Sequence, residues 1–141
     1  MCGNEDYISA AFRHWESCEI LGNNHQWQDA AYLAGYIAEC SMKGALEHAF
    51  GQARDEVRRF GHNLAQLHLR GLELAMVLNP AARRYWPDPL PQEILLWSPG
   101  HRYARTGCLS DGEFQRIVDA AEQIGERILL GMALDGLIPM P

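Results

Sequence analysis

Apolar residues along most of this chain recur every three or four positions, the spacing of a helix face rather than the alternation of a strand. Four segments carry the pattern. The first predicts a helix over about residues 5–21, with Asn4 as N-cap, the Gly22-Asn23-Asn24 turn behind it, and Ile8, Ala11, Phe12, Trp15 and Cys18 on its apolar face. The second, about 26–50, repeats Trp27, Ala30, Ala31, Ala34, Ile37, Ala38, Met42, Ala45, Leu46 and Ala49. Its small residues let a neighbouring helix approach closely. The third, about 63–78, is expected to bury Leu64, Leu67, Leu72, Leu74, Ala75 and Leu78, and Asn79-Pro80 ends it. The fourth opens at the capping-box sequence Ser110-Asp111-Gly112-Glu113 and runs through Phe114, Ile117, Val118, Ala121, Ile124, Ile128, Leu129 and Met132 to Asp135-Gly136.

Between residues 80 and 107 the pattern breaks. Five of the seven prolines lie there, Pro80, Pro87, Pro89, Pro91 and Pro99, together with Trp86 and Trp97. Proline removes a backbone donor and clashes with the preceding turn, so no long regular helix fits. A connection of this length inside a compact domain is usually functional or packed onto the body of the fold. Four amphipathic helices must bury their stripes against one another. The expected fold is therefore all-α: an up-and-down four-helix bundle in one domain over residues 1–141, with a long Pro-rich excursion before the last helix. No internal repeat or low-complexity segment interrupts it.

The 141 residues are 48% hydrophobic, enough to bury a core without staples. Four cysteines, Cys2, Cys18, Cys40 and Cys108, form no CxxC pair and read as reduced thiols of a cytoplasmic protein. The acidic start Met1–Asp6 does not resemble a signal peptide, and no apolar run approaches the ~20 residues of a membrane span.

Twelve bases against eighteen acids leave a net charge of −6, which argues against a basic coat for non-specific nucleic-acid binding. The charge is unevenly spread. From Arg54 to Arg105 eight bases face five acids, a balance of +3, while the remainder holds four bases and thirteen acids, or −9. All eight central bases are arginine, the side chain suited to bidentate phosphate contacts and base stacking, and His62, His68 and His101 share the interval. They suit either an anion site built from the second connection and the Pro-rich segment, or local ion pairs whose stems cover apolar surface.

Individual residues leave similar choices. His62 either contacts a phosphate or satisfies backbone at the start of the third helix. Glu39 and Lys43, four apart, form either a polar cleft or a surface pair contributing a few tenths of a kcal/mol. Tyr32 and Tyr36 are expected to pack with their hydroxyls at the rim, and the four tryptophans to anchor the core or a dimer interface. His14 and Cys18 lie one helical turn apart, but no second spaced pair completes a metal set. There is no GxSxG, P-loop, GxGxxG or HExxH, so no metal and no cofactor is expected.

Three segments together resemble the HEPN family, the nucleotide-binding helical domains of higher eukaryotes and prokaryotes, here of the small stand-alone prokaryotic type. The run Ala31–Leu46, AYLAGYIAECSMKGAL, is similar to that family's characteristic helix; Gly61-His62-Asn63-Leu64 resembles its GHDL helix start; Trp97 with Arg102-Tyr103 resembles the W…RY segment before its last helix. The likeness spans roughly residues 5–135. It implies an up-and-down bundle that forms homodimers, a nucleotidyltransferase partner or a toxin–antitoxin setting, and RNA or nucleotide as ligand. Many members are metal-independent endoribonucleases with four to six residues between an Arg and a following His. This chain departs from that motif: seven residues separate Arg54 from His62, three separate Arg58 and two separate Arg59, and the last helix has Arg116 and Arg127 without a histidine.

The leading expectation is an RNA- or nucleotide-binding protein, with Arg59, Arg102, Tyr103 and Arg105 as ligand contacts. A second is an endoribonuclease in which Arg58 and His62 are catalytic, histidine as general acid or base and arginine stabilising phosphorane-like charge. A third is a protein-interaction module without a ligand. Homodimerisation is expected from the family likeness and from the small-residue face of the second helix.

Overall fold

The computed structural model describes residues 5–139. Its regular structure is entirely helical: α1 (Tyr7–Asn23), α2 (Trp27–His48), α3 (Arg54–Arg58), α4 (Leu64–Val77) and α5 (Asp111–Leu134), with three 3₁₀ segments, Pro80–Arg84, Gln92–Leu96 and Pro99–Tyr103, between α4 and α5. No strand occurs among the described residues.

Local chemistry sets the helix ends. The expected cap Asn4 lies outside the described residues, and α1 starts on Asp6, whose carboxylate accepts from the Ser9 amide at 2.9 Å. Asn63 caps α4 through the Gln66 amide at 3.0 Å. At α5 both halves of the capping box form: the Glu113 amide donates to the Ser110 hydroxyl at 3.1 Å and the Ser110 amide to the Glu113 carboxylate at 3.2 Å. Such a cap stabilises a helix by about 1 kcal/mol. The single turn α3, which the apolar periodicity did not mark, is held by burial of Val57.

Helix α2 is central. α1 and α5 each pack along it, and every residue from Ala38 to Leu46 is buried. The small residues Ala30, Ala31, Ala34, Ala38 and Ala45 are consumed here, covered within this chain. They therefore offer no surface to a second copy, contrary to the sequence-based expectation. Leu78, expected in the core, is 57% exposed because α4 ends at Val77 and the chain turns away.

The Pro-rich segment is fastened by three aromatic side chains, each lying on a helix glycine. The position a Cβ would take on Gly131 of α5 is 2.4 Å from the Tyr85 ring; on Gly71 of α4 it is 1.9 Å from Trp86; on Gly35 of α2 it is 2.0 Å from Trp97. Real Cβ atoms do not approach so closely, so only glycine admits these rings. Both indoles also donate their N–H to a helix carbonyl, Trp86 to His68 at 3.1 Å and Trp97 to Tyr32 at 2.8 Å. Buried His68 donates in turn to the Pro87 carbonyl at 2.7 Å. Burying one such indole removes about 200 Å² from water, roughly 5 kcal/mol by area transfer.

Gly71→Ala and Gly35→Ala should each cost about 1–3 kcal/mol, the usual range for overpacking, in urea unfolding. Gly112→Ala, whose added Cβ would meet nothing nearer than the Ser110 hydroxyl at 3.9 Å, should be neutral or slightly stabilising.

Candidate functional site

Tyr32, Tyr36, Glu39 and Lys43 follow one another at four, three and four residues and so share one stripe of α2. The stripe lies where α1, the turn before α4 and the Pro-rich segment meet. Tyr36 is its hub: ring centroids lie 5.4 Å away at His14 of α1, 5.5 Å at Tyr32, 6.1 Å at His62 and 4.9 Å at Trp97. The last three are edge-on, the orientation that ring quadrupoles favour. The Tyr32 and Tyr36 hydroxyls stand 3.4 Å apart, and burial together with that neighbour holds the Tyr36 phenol well above its ordinary pKa.

Beneath the rings is a buried charge network. Glu39 and Lys43 are only 4% and 5% exposed, so theirs is no solvated surface pair. Lys43 donates to Glu39 Oε2 at 3.4 Å, while His62 Nδ1 donates to Glu39 Oε1 at 2.7 Å. Both carboxylate oxygens are thus engaged, which a buried carboxylate requires. The Lys43 ammonium also lies 5.4 Å from the centroid of the Tyr7 ring. His62 does not cap α4, since Asn63 does; its ring reaches across to α2 and its side chain remains 53% exposed. With Nδ1–H donated, a neutral His62 keeps the Nε2 lone pair for solvent or ligand.

The sequence candidates divide into two groups. Arg58 and Arg59 are drawn into local ion pairs, Arg58 with Glu5 at 3.2 Å and Asp55 at 3.8 Å, Arg59 with Glu56 at 3.3 Å. Arg58 and His62 thus bond different carboxylates. Arg102 behaves differently. It lies over the Tyr103 ring, 4.8 Å from the centroid, and beside the Tyr32 hydroxyl, with no carboxylate partner among the described residues. Arg105 also lacks an ion pair there, and its backbone carbonyl accepts from Gln28 at 3.1 Å. Tyr103 is fully displayed at 79% exposure. The structure therefore gathers His62, Arg102 and Tyr103 around the Tyr32–Tyr36 edge and ties Arg58 and Arg59 to acids.

His14 and Cys18 part company despite their helical spacing. His14 turns to Tyr36, while buried Cys18 donates to the Ala30 carbonyl at 3.4 Å, and burial raises its thiol to about 12. Among the described residues no three His, Cys, Asp or Glu side chains are grouped to hold a metal ion. Sequence reasoning overlooked Tyr36 as the ring that His14 and His62 share. The available signal was the stripe of polar residues interrupting an otherwise apolar α2.

No family model, curated protein or solved structure matches the chain. The site's chemistry rests on its own residues.

Removing one partner of a buried ion pair strands the other charge. Lys43→Met should cost about 3 kcal/mol, the lower end for such losses because His62 still bonds Glu39; the Glu39→Gln/Lys43→Met double variant should recover part of it in a denaturation cycle. A second effect depends on pH. Burial, then the nearby Arg13 charge, holds the His14 imidazole below its ordinary 6.5. The unfolded chain then takes up this proton first, so the stability His14 contributes is present above that value and lost as pH falls below it. Urea midpoints between pH 7.5 and 5.5 should fall more steeply for the wild type than for His14→Gln.

Proposed function

We propose that this protein binds RNA or a nucleotide phosphate on the Tyr36 edge of α2. The observation that carries the reading is Arg102, a guanidinium with no carboxylate partner among the described residues, beside a set of aromatic rings. Guanidinium suits a phosphate and accessible aromatic faces suit a base, the two contacts from which single-stranded nucleic-acid sites are built. Tyr103 and Arg105 extend the surface. Phosphate attraction is local here, which reconciles such a ligand with a net charge of −6.

The HEPN resemblance of the Ala31–Leu46 run supports the same ligand class. In this reading α1, α2, α4 and α5 form the up-and-down bundle, and the protein acts as a cytoplasmic homodimer in a toxin–antitoxin or nucleotidyltransferase-associated system. The exposed apolar residues Leu69, Met76 and Val77 of α4 support a dimer surface there. No helix among the described residues is long and apolar enough to cross a membrane.

The 2.7 Å bond from His62 to buried Glu39 favours a second reading, metal-independent endoribonuclease activity. A carboxylate on Nδ1 orients the imidazole, so Nε2 can take the proton from a ribose 2′-hydroxyl as that oxygen attacks phosphorus. The 5′-oxygen leaves with a proton from solvent, and a 2′,3′-cyclic phosphate remains. Arg58, paired with Glu5 and Asp55, would in this reading stabilise the phosphorane-like charge on the phosphate.

Both readings are tested with one labelled single-stranded RNA, followed by anisotropy and by gel. Binding should weaken as salt rises and fall at least tenfold in Arg102→Ala and in Tyr36→Ala, with Arg59→Ala within about threefold. Absence of binding at low salt defeats the proposal. Cleavage in EDTA that disappears in folded His62→Ala while binding persists would establish the second reading.

A further inference from the structure

α1 and α5 both pack on α2 but touch each other little, which leaves a furrow between them of about 460 Å³. Its apolar lining is Phe12 and Trp15 from α1 and Leu129 and Leu130 from α5; the Trp15 ring comes within 3.3 Å of the position a Cβ would take on Gly125, and Leu130 is 45% exposed. A second apolar hollow, lined by Ile8, Phe12 and Leu137, shares Phe12 and so continues the furrow toward the start of α1. From Ile8 to Glu19 the helix rises about 16 Å, three turns of an opposing helix.

The rim has one sign. Glu16, Glu19 and Glu126 border the apolar floor, and Glu122 and Asp119 continue the row along α5. None of these five carboxylates forms an ion pair among the described residues. Among the described residues Glu19 accepts only the Trp15 indole N–H, at 3.1 Å. Of the neighbouring cations, Arg127 donates to the Arg84 carbonyl at 3.1 and 3.3 Å, Arg13 bears on His14 and Cys40 at the α2 side, and Arg116, one turn before Asp119, bears on Glu113 at the start of α5. Burial and the charges of Glu19, Asp119 and Glu126 raise the Glu122 pKa, a sign of uncompensated repulsion.

We propose that this furrow is a docking site for a basic amphipathic helix of a partner protein, whose apolar side chains enter between α1 and α5 while its lysines and arginines meet the glutamates of the rim. An apolar floor inside a single-sign rim favours such a segment over an acidic or neutral one, because the same docking that buries its apolar face relieves like-charge crowding. The site is separate from the Tyr36 edge and does not depend on a nucleotide ligand.

The test uses the full chain and two labelled 18-residue amphipathic peptides, one of Leu and Lys, the other identical with Glu for Lys. The Leu/Lys peptide should bind at least tenfold more tightly than the Leu/Glu peptide. Glu16→Gln/Glu19→Gln/Glu126→Gln should weaken it at least tenfold, and Leu130→Ser at least threefold. Glu56→Gln/Glu73→Gln/Glu93→Gln, which removes equal charge from other surfaces, should stay within threefold. These positions are exposed, and circular dichroism checks that each variant keeps its helix content. Equal losses in the two triple variants, no loss in the first, or no preference between peptides would overturn the proposal. So would a dimer in sedimentation that Leu130→Glu dissociates, because the furrow would then be closed by a second copy.

Discussion

A flat ring laid on a helix that lacks a side chain is the contact on which the arrangement depends. Tyr85, Trp86 and Trp97 come from one Pro-rich stretch and reach three different helices, α5, α4 and α2, at glycines that leave no room for a methyl group. Dispersion and desolvation make the contact favourable, and the indole N–H bonds to helix carbonyls set its angle. Prolines keep the intervening chain from coiling into a helix that would carry the rings away. A segment without long regular structure thereby becomes the clamp of an otherwise helical protein.

The same clamp builds the site. Trp97 seated on Gly35 brings its ring to Tyr36 and its N–H to the Tyr32 carbonyl, and the segment that follows it carries Arg102 to the Tyr32 hydroxyl. On the other side, α1 supplies His14 and the turn before α4 supplies His62. Burying Glu39 and Lys43 under this lid carries a desolvation cost that their mutual bond and the His62 bond offset. A buried carboxylate that orients a half-exposed histidine joins packing to chemistry: the core fixes the acid, and the acid fixes the imidazole.

Much of the fold was legible because helix periodicity and capping are local. The spans of α1, α2, α4 and α5 follow from spacing, and Ser110 and Glu113 cap as their sequence predicts. The site was legible only in fragments. His62, Arg102 and Tyr103 were marked by residue type, yet Arg58 and Arg59 were equally marked and are neutralised by Glu5, Asp55 and Glu56. Glu5 lies fifty-three residues from Arg58, too far along the chain for any local pattern to pair them. For Glu39 and Lys43 the spacing left both a polar cleft and a surface pair open, because it carries no information about what covers a helix face.

By itself the sequence determined the helical class, the ends of the long helices, the interruption by proline and the uneven distribution of charge, since each depends on residues within a turn or two of one another. Tertiary structure decided which glycines receive rings, which arginines are spent on acids, and that His14, Tyr36, His62 and Arg102 meet along one edge of α2. These outcomes depend on shape and on charges brought together from distant parts of the chain, and only packing determines them.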